Sequence, residues 1–272
     1  MKKYVCFILA NWLIMIGQPM ANEAMAIDEH AQLQGVVNNL LGDNAAFVKS
    51  HQANYYKPFA HEQHPRATVV TCADSRVHEH ALDKTPDGDL FMVRNIGNQI
   101  YTDEGSVEYG VHHLHTPLLI VVGHVACGAI KAASGDYSHE SPAIKRELDT
   151  IKLPPKNIKN SADEEWLSGV DANVNHQVAF ALKKFEKEVR EGHLTVMGAV
   201  YDFQNAMHHG QGRLVIVNIN GHTDSGNIQS ELNKISAVEQ PSTKKTVAHP
   251  TDKTYKAPKP HVIKHHTSAS EH

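Results

Sequence analysis

The chain is poor in cysteine, carries no excess of basic residues and has no hydrophobic run long enough to cross a bilayer comfortably. It has 26 lysines and arginines against 30 aspartates and glutamates, a formal net charge of −4, so nothing indicates a nucleic-acid partner. Only three cysteines are present, which leaves at most one disulfide within the chain. With 272 residues, 41% of them hydrophobic, the chain is long enough to bury a full core, and we expect one globular domain with extensions.

The N-terminus has the pattern of a secretory signal. Two lysines at positions 2 and 3 precede a mostly apolar segment, residues 4–17, which is shorter than a membrane-spanning helix. Ala24-Met25-Ala26 then supplies the small-residue pattern of a cleavage site. We therefore predict a signal peptide over residues 1–26 and an exported, periplasmic protein without a stable membrane anchor. The alternative is an uncleaved anchor, which the short apolar segment disfavours.

Two short motifs carry the chemistry of the chain. Cys72 follows the β-branched run 67–71, while His124 and Cys127 follow a second apolar run, residues 118–122. Each run is typical of a buried strand that leads into a turn and helix, and open α/β sheets place their sites at the carboxyl ends of strands. Two thiols and one imidazole suit a tetrahedral zinc and leave the fourth position open. The pattern therefore predicts a catalytic metal site rather than a structural one.

A disulfide between Cys72 and Cys127 is the alternative for an exported protein. The third cysteine, Cys6, lies within the predicted signal peptide, so every cysteine of the mature chain belongs to this pair. A disulfide would give His124 and the neighbouring charged residues Asp74 and Arg76 no role.

Strand-like and helix-like segments alternate along the rest of the chain. This order predicts an α/β fold with a central, mainly parallel β-sheet flanked by helices. Residues 30–50 have helical apolar spacing interrupted at Gly42-Asp43-Asn44, which predicts two short amphipathic helices. Further predicted strands cover residues 90–93, 194–201 and 214–219, and a helical pattern covers residues 162–189. We place the catalytic domain at residues 27–236 and a disordered tail rich in His, Lys and Pro at residues 237–272.

Four motifs resemble a known family. In order they are Cys72–Val77, Phe91–Asn98, Ser106–Val111 and Gly123–Gly128. They are similar, in order and spacing, to motifs of the β-class carbonic anhydrases over roughly residues 30 to 225. The resemblance implies one Zn²⁺ per subunit, and it implies at least a homodimer with pockets near the subunit interface.

The resemblance also implies roles for individual residues. It assigns the zinc to Cys72, His124 and Cys127, and it places Asp74 and Arg76 beside the metal as a catalytic carboxylate and its guanidinium partner. It further implies that three other residues shape the substrate pocket, as in the plant-like branch: Gln63, Phe91 and Tyr109. The activity it implies is reversible hydration of carbon dioxide, a small-molecule substrate, to bicarbonate and a proton by zinc-bound hydroxide.

Two other functions remain open from the sequence. A periplasmic zinc carrier would use the His-rich tail to collect metal, but it would have no use for an Asp74 carboxylate held away from the metal by Arg76. A hydrolase of carbon disulfide or carbonyl sulfide would use the same scaffold, and the shape of the access channel would decide between the substrates.

Overall fold

The computed structural model describes residues 18–157 and 159–237. Residues 1–17 of the predicted signal peptide and residues 238–272 of the tail predicted to start at Ala237 lie outside the described residues, so both stay predictions. The contacts divide the chain into two compact units, with residues 18–58 in the first and residues 59–237 in the second. Within these residues, none of the helices is both long and apolar enough to cross a membrane.

The first unit is dominated by one long helix, α1, over Gln18–Ser50, followed by the short α2 over Ala53–Tyr56. The sequence prediction of two helices interrupted at residues 42–44 is wrong. A glycine inside a helix costs only about 1 kcal/mol, which does not force a break, and Pro19 lies in the first turn, where proline is tolerated. Seven large apolar side chains of α1 are exposed: Leu33, Val36, Val37, Leu40, Leu41, Phe47 and Val48.

The second unit contains a five-stranded sheet with the order β2-β1-β3-β4-β5. The strands are β1 (Ala67–Cys72), β2 (Leu90–Asn95), β3 (Leu118–His124), β4 (Thr195–Asp202) and β5 (Arg213–Ile219). Strands β2, β1, β3 and β4 are parallel, and β5 pairs with β4 in the antiparallel direction. Strand β1 is buried along its whole length, as expected for a central strand covered on both faces. The predicted α/β fold with a mainly parallel sheet is confirmed.

Helices connect and cover these strands. They are α3 (Glu104–Glu108), α4 (Gly128–Ala133), α5 (Pro142–Leu148), α6 (Ala162–Lys184), α7 (Glu186–Arg190) and α8 (Ser225–Ala237). A π-helical turn covers Tyr109–His113, and 3₁₀ turns cover Lys57–Phe59, Glu79–Ala81 and Tyr101–Asp103. Helix α8 ends at Ala237, next to the predicted start of the tail.

Helix α6 packs closely on the sheet. Its N-terminus is fixed by a capping box between Ser161 and Glu164, and its buried side chains include Val174 and Val178. The helix can approach β4 because Gly198 has no side chain: a Cβ there would lie 2.8 Å from Val174 Cγ1 and 2.9 Å from Val178 Cγ2. The glycine is therefore required for this helix-on-sheet contact.

We expect Gly198→Ala to destabilise the protein by about 1–3 kcal/mol, since overpacking a close core contact costs that much. Chemical denaturation followed by far-ultraviolet circular dichroism would measure the change. Gly105→Ala is the matched control, because a Cβ at Gly105 meets no atom within 4 Å. Equal stability of the two variants would show that α6 does not need the close approach.

Candidate metal centre

The ligand set forms where two neighbouring strands end. Cys72 is the last residue of β1, His124 is the last residue of the adjacent β3, and Cys127 precedes α4. The two sulfurs and an imidazole nitrogen all lie within 4.8 Å of one another, and all three residues are buried. Both cysteines are free thiols in the structure, which does not support the disulfide alternative. The fold therefore brings together the three residues that the sequence proposed as ligands.

The His124 ring is oriented by its own backbone. Its Nδ1 lies 2.9 Å from the Val125 carbonyl oxygen, so Nδ1 carries the proton and donates it, because a carbonyl only accepts. The other nitrogen, Nε2, is buried and has no hydrogen-bond partner among the described residues. An imidazole whose second nitrogen is held in this way is the usual arrangement of a metal-ligating histidine.

The pKa values of the two metal-centre thiols are shifted in opposite directions. The pKa of Cys72 is lowered to about 4, chiefly because the Cys127 thiol donates a hydrogen bond to its sulfur, with a further hydrogen bond from the Gly97 amide. The same hydrogen bond, together with burial, raises the pKa of Cys127 far above its ordinary value. A divalent cation would stabilise both thiolates at once. The donor set and the free Nε2 therefore fit zinc with two sulfurs and one nitrogen.

Asp74 lies beside the ligand set and is held there by Arg76. The guanidinium donates from Nε to Asp74 Oδ1 at 2.9 Å and from Nη2 to Oδ2 at 2.7 Å, and the Arg76 backbone amide donates to Oδ1 at 3.0 Å. These bonds hold the pKa of Asp74 well below its ordinary range. Arg76 also donates to the Ala126 carbonyl at 3.0 Å, and Asp74 Oδ2 lies 3.8 Å from His124 Nε2. The carboxylate is thus ionised and fixed next to the three candidate ligands.

The predicted pocket residues lie elsewhere in the chain. The rings of Phe91 and Tyr109 are in contact, with centroids 5.8 Å apart. On the sheet, however, Phe91 pairs with Thr68, whereas Cys72 pairs with Asn95. Four residues of strand separate these positions by about 13 Å. Gln63 is exposed and comes before the first residue of β1, whereas Cys72 is the last residue of that strand. Gln63 therefore precedes the end of β1 that is remote from the metal centre. Within one chain, the structure does not bring these three residues to the metal centre.

Arg94 is a supporting residue that the sequence did not reveal. From the end of β2 its guanidinium donates to three carbonyl oxygens of the turn after β1: Cys72 at 3.1 Å, Asp74 at 3.0 Å and Val77 at 2.6 Å. One side chain thereby fixes the turn that carries Cys72, Asp74 and Arg76. The available signal was a charged residue within an apolar strand pattern next to the motif.

A buried amide network supports the other side of the turn. Gln99 donates to Asn173 Oδ1 at 3.0 Å and accepts from Gln177 Nε2 at 2.8 Å, and Asn173 Nδ2 donates to the Gly97 carbonyl at 2.9 Å. The Gly97 amide in turn donates to Cys72 Sγ at 3.5 Å. The sequence signal was two polar residues, Asn173 and Gln177, within the apolar face of α6.

Comparisons with known proteins all point to one family. A sequence profile described as carbonic anhydrase matches residues 67–208. The chain is 30% identical over 167 residues to β-carbonic anhydrase 5 from the chloroplast of Arabidopsis thaliana. This alignment covers 55% of each protein, so the chain spans about half of that relative's length. A carbonic anhydrase of Pseudomonas aeruginosa is 31% identical over 170 residues, which is 57% of this chain and 76% of the relative. The fold is also similar to a tetrameric β-carbonic anhydrase from Sordaria macrospora, with a TM-score of 0.59, 24% identity and coverage of 68% of this chain and 98% of that one.

Proposed function

Because this chain belongs to the β-class carbonic anhydrases, we propose that it catalyses the reversible hydration of carbon dioxide to bicarbonate and a proton. The observation that carries the proposal is the convergence of Cys72, His124 and Cys127 beside an ionised carboxylate. A zinc carrier needs no such carboxylate, and Asp74 is held by two side-chain hydrogen bonds from Arg76. The pair therefore favours an enzyme over a carrier.

We propose one Zn²⁺ per chain, held by Cys72 Sγ, His124 Nε2 and Cys127 Sγ. Bound zinc lowers the pKa of water so that hydroxide is available near neutral pH, as is known from carbonic anhydrases with three histidine ligands. The chain's own contribution is to exclude solvent, since all three ligands are buried, and to hold the His124 tautomer through the Val125 carbonyl.

The Asp74–Arg76 pair has two roles in this proposal. Ionised Asp74 accepts a hydrogen bond from the attacking oxygen and directs its lone pair at the carbon of carbon dioxide. The bidentate contact with Arg76 keeps the carboxylate charged and stops it from turning towards the ligand set. Arg76 is itself held by the Ala126 carbonyl, on the turn between His124 and Cys127, so both halves of the site fix its position.

We further propose that the working enzyme is a homodimer or a larger homo-oligomer. Gln63, Phe91 and Tyr109 lie at the end of the sheet remote from their own metal centre, so their proposed place in a substrate pocket requires a second copy of the chain. Two other observations support association. Seven large apolar side chains of α1 are exposed, and contiguous exposed apolar surface marks interaction sites. The Sordaria macrospora protein of similar fold is described as tetrameric.

Leu40→Glu is expected to shift the assembly towards smaller species, because it places a charge on the exposed apolar face of α1, where Leu40 is 65% exposed. Light scattering coupled to size-exclusion chromatography would measure the mass. Gln34→Glu adds the same charge to a polar, exposed position of the helix and serves as the control. A wild-type monomer, or equal masses for both variants, would contradict the role of this face.

Export to the periplasm also remains our proposal, supported by the charged start and apolar segment of residues 1–17. Fractionation of cells that express the full chain, with N-terminal sequencing of the product, would test it. A mature N-terminus near Ile27 in the periplasmic fraction is the expected result.

Stopped-flow measurement of carbon dioxide hydration on purified protein of known zinc content tests the proposed activity. We expect about one zinc per chain and hydration well above the uncatalysed rate. Full zinc occupancy without hydration would overturn the proposal. Carbon disulfide and carbonyl sulfide, assayed on the same preparation, would show whether another substrate is preferred.

A further inference from the structure

A cavity of about 560 Å³ lies outside the metal centre, between α4, the 153–156 loop and the start of α6. We call it the α4–α6 pocket. Its volume falls in the range of small-molecule sites. The residues on which the argument rests are four apolar wall residues and two lysines: Ile130, Leu153, Pro154, Trp166, Lys131 and Lys156.

One wall of the α4–α6 pocket is connected to the metal centre. The Trp166 indole Nε1–H donates a hydrogen bond of 2.7 Å to the carbonyl oxygen of Cys127. Ile130, another wall residue, is buried in the core beside Cys127 at the start of α4. Trp166 therefore belongs both to the pocket and to the turn that carries a candidate zinc ligand, although neither Trp166 nor Ile130 offers a ligand atom.

The charges around the α4–α6 pocket favour an anion. Lys131 and Lys156 are exposed and take part in none of the ion pairs among residues 18–157 and 159–237. Lys131 Nζ lies instead 5.2 Å from the centroid of the Trp166 ring, a cation–π contact that is weak at an exposed site.

Two acidic residues, Asp163 and Glu165, also line the pocket, and each is stabilised by its own local surroundings. Glu165 Oε1 accepts a hydrogen bond of 2.7 Å from the Asn157 amide. Asp163 lies in the first turn of α6, where the positive end of the helix dipole stabilises a carboxylate. The two lysines thus remain available for the charged group of a ligand.

We propose that the α4–α6 pocket binds a small arylalkanoate, that is, a monocarboxylate with an aromatic ring on a short alkyl chain. The ring packs against Ile130, Leu153 and Trp166, and the carboxylate takes the ammonium group of Lys131 from its contact with the indole. This exchange alters the surroundings of the Trp166 indole and, through its hydrogen bond, the position of the Cys127 carbonyl. Binding at the pocket is thereby coupled to the metal centre without contact with it.

Intrinsic fluorescence tests the binding directly. The chain has two tryptophans, and Trp12 lies in the predicted signal peptide, so Trp166 is the only tryptophan of the predicted mature chain. Trp12→Phe gives the unprocessed full-length chain the same single tryptophan. Titration of this zinc-loaded protein with 3-phenylpropionate is expected to give a saturable change in fluorescence, with much weaker binding of the neutral analogue 3-phenylpropanamide. No saturable change, or equal affinity for acid and amide, would overturn the proposal.

Variants locate the ligand. In the Trp12→Phe background, Lys131→Gln is expected to weaken binding by about tenfold or more, as for the loss of one charged hydrogen bond. Lys152 is exposed and lies outside the pocket lining, so Lys152→Gln is the control and should leave binding unchanged. Ala133→Leu, which fills the pocket from α4, should abolish the fluorescence change. A change that survives Ala133→Leu would place the ligand elsewhere and overturn the site.

The coupling has a separate readout. The coupling rests on the proposed carbonic anhydrase function, whereas binding measured by fluorescence does not. The binding proposal and the coupling proposal can therefore fail independently. We expect 3-phenylpropionate to change the hydration rate at the concentrations that saturate the fluorescence, and Ala133→Leu to remove that part of the response. Binding with an unchanged hydration rate would overturn the coupling.

Discussion

Cys127→Ser is expected to lower the zinc affinity of the protein by more than about 100-fold and to abolish carbon dioxide hydration. Loss of a residue that only hydrogen-bonds to a metal ligand costs about 10–100-fold in metal affinity, and this substitution removes a direct thiolate donor. The Cys127 sulfur lies within 4.8 Å of the other two ligand atoms, so it is placed to bind the same ion. A serine hydroxyl at this position is a poor replacement because it stays protonated near neutral pH. Elemental analysis after dialysis against a chelator, together with stopped-flow hydration, would measure both effects.

Cys6→Ser is the matched control for that variant when both are made in the unprocessed full-length chain, because the mature chain predicted to begin near Ile27 lacks Cys6. It makes the same chemical change in the full-length chain at a cysteine outside the ligand set, so zinc content and hydration should equal those of the wild type. Full zinc occupancy in Cys127→Ser would defeat the ligand assignment. Normal zinc content without hydration in the wild type would instead be consistent with the ligand assignment and would contradict the proposed reaction.

The metal-free protein is expected to lose its two metal-centre thiols, Cys72 and Cys127, to a mild oxidant and to stay inactive when zinc is returned. Without a cation, the Cys127 thiol already donates a hydrogen bond to the Cys72 sulfur, whose pKa is lowered to about 4. A nucleophilic thiolate therefore lies in contact with its potential partner. With hydrogen peroxide as oxidant, the two sulfurs form one S–S bond and give up two electrons and the single proton of Cys127. The peroxide takes these and one proton from solvent and is reduced to two waters. A reductant added before zinc should restore activity.

Zinc should protect the protein against this reaction, because both sulfur lone pairs are then engaged by the metal. The experiment counts free thiols under denaturing conditions after equal exposure of zinc-loaded and zinc-free samples to peroxide. The Cys72→Ser variant is the control, since it cannot form the bond. Equal oxidation rates with and without zinc, or full recovery of oxidised protein by zinc alone, would contradict the expected protection. In an exported enzyme this protection would matter, because its compartment favours disulfides.

The amino-acid sequence was sufficient to predict the sheet and the ligand set. Each ligand follows a short run of β-branched residues, and parallel strands end at the same edge of a sheet, so local pattern and topology together bring Cys72, His124 and Cys127 to one place. The contact of Asp74 with Arg76 spans only two residues, which makes it a local feature too. In contrast, the break expected in α1 was wrong, because a glycine and two polar residues weaken a helix without ending it.

Only the tertiary structure decided which residues support the site and which lie far from it. Arg94 reaches the Cys72 turn from the neighbouring strand, and Trp166 reaches the Cys127 carbonyl from 39 positions away in the chain. Phe91 lies four register positions from the metal edge, which makes a second copy necessary for its proposed role. The physical reason is the same in each case. Periodicity and short motifs report on neighbours in sequence, whereas hydrogen bonds to backbone carbonyls and strand register depend on how distant segments pack.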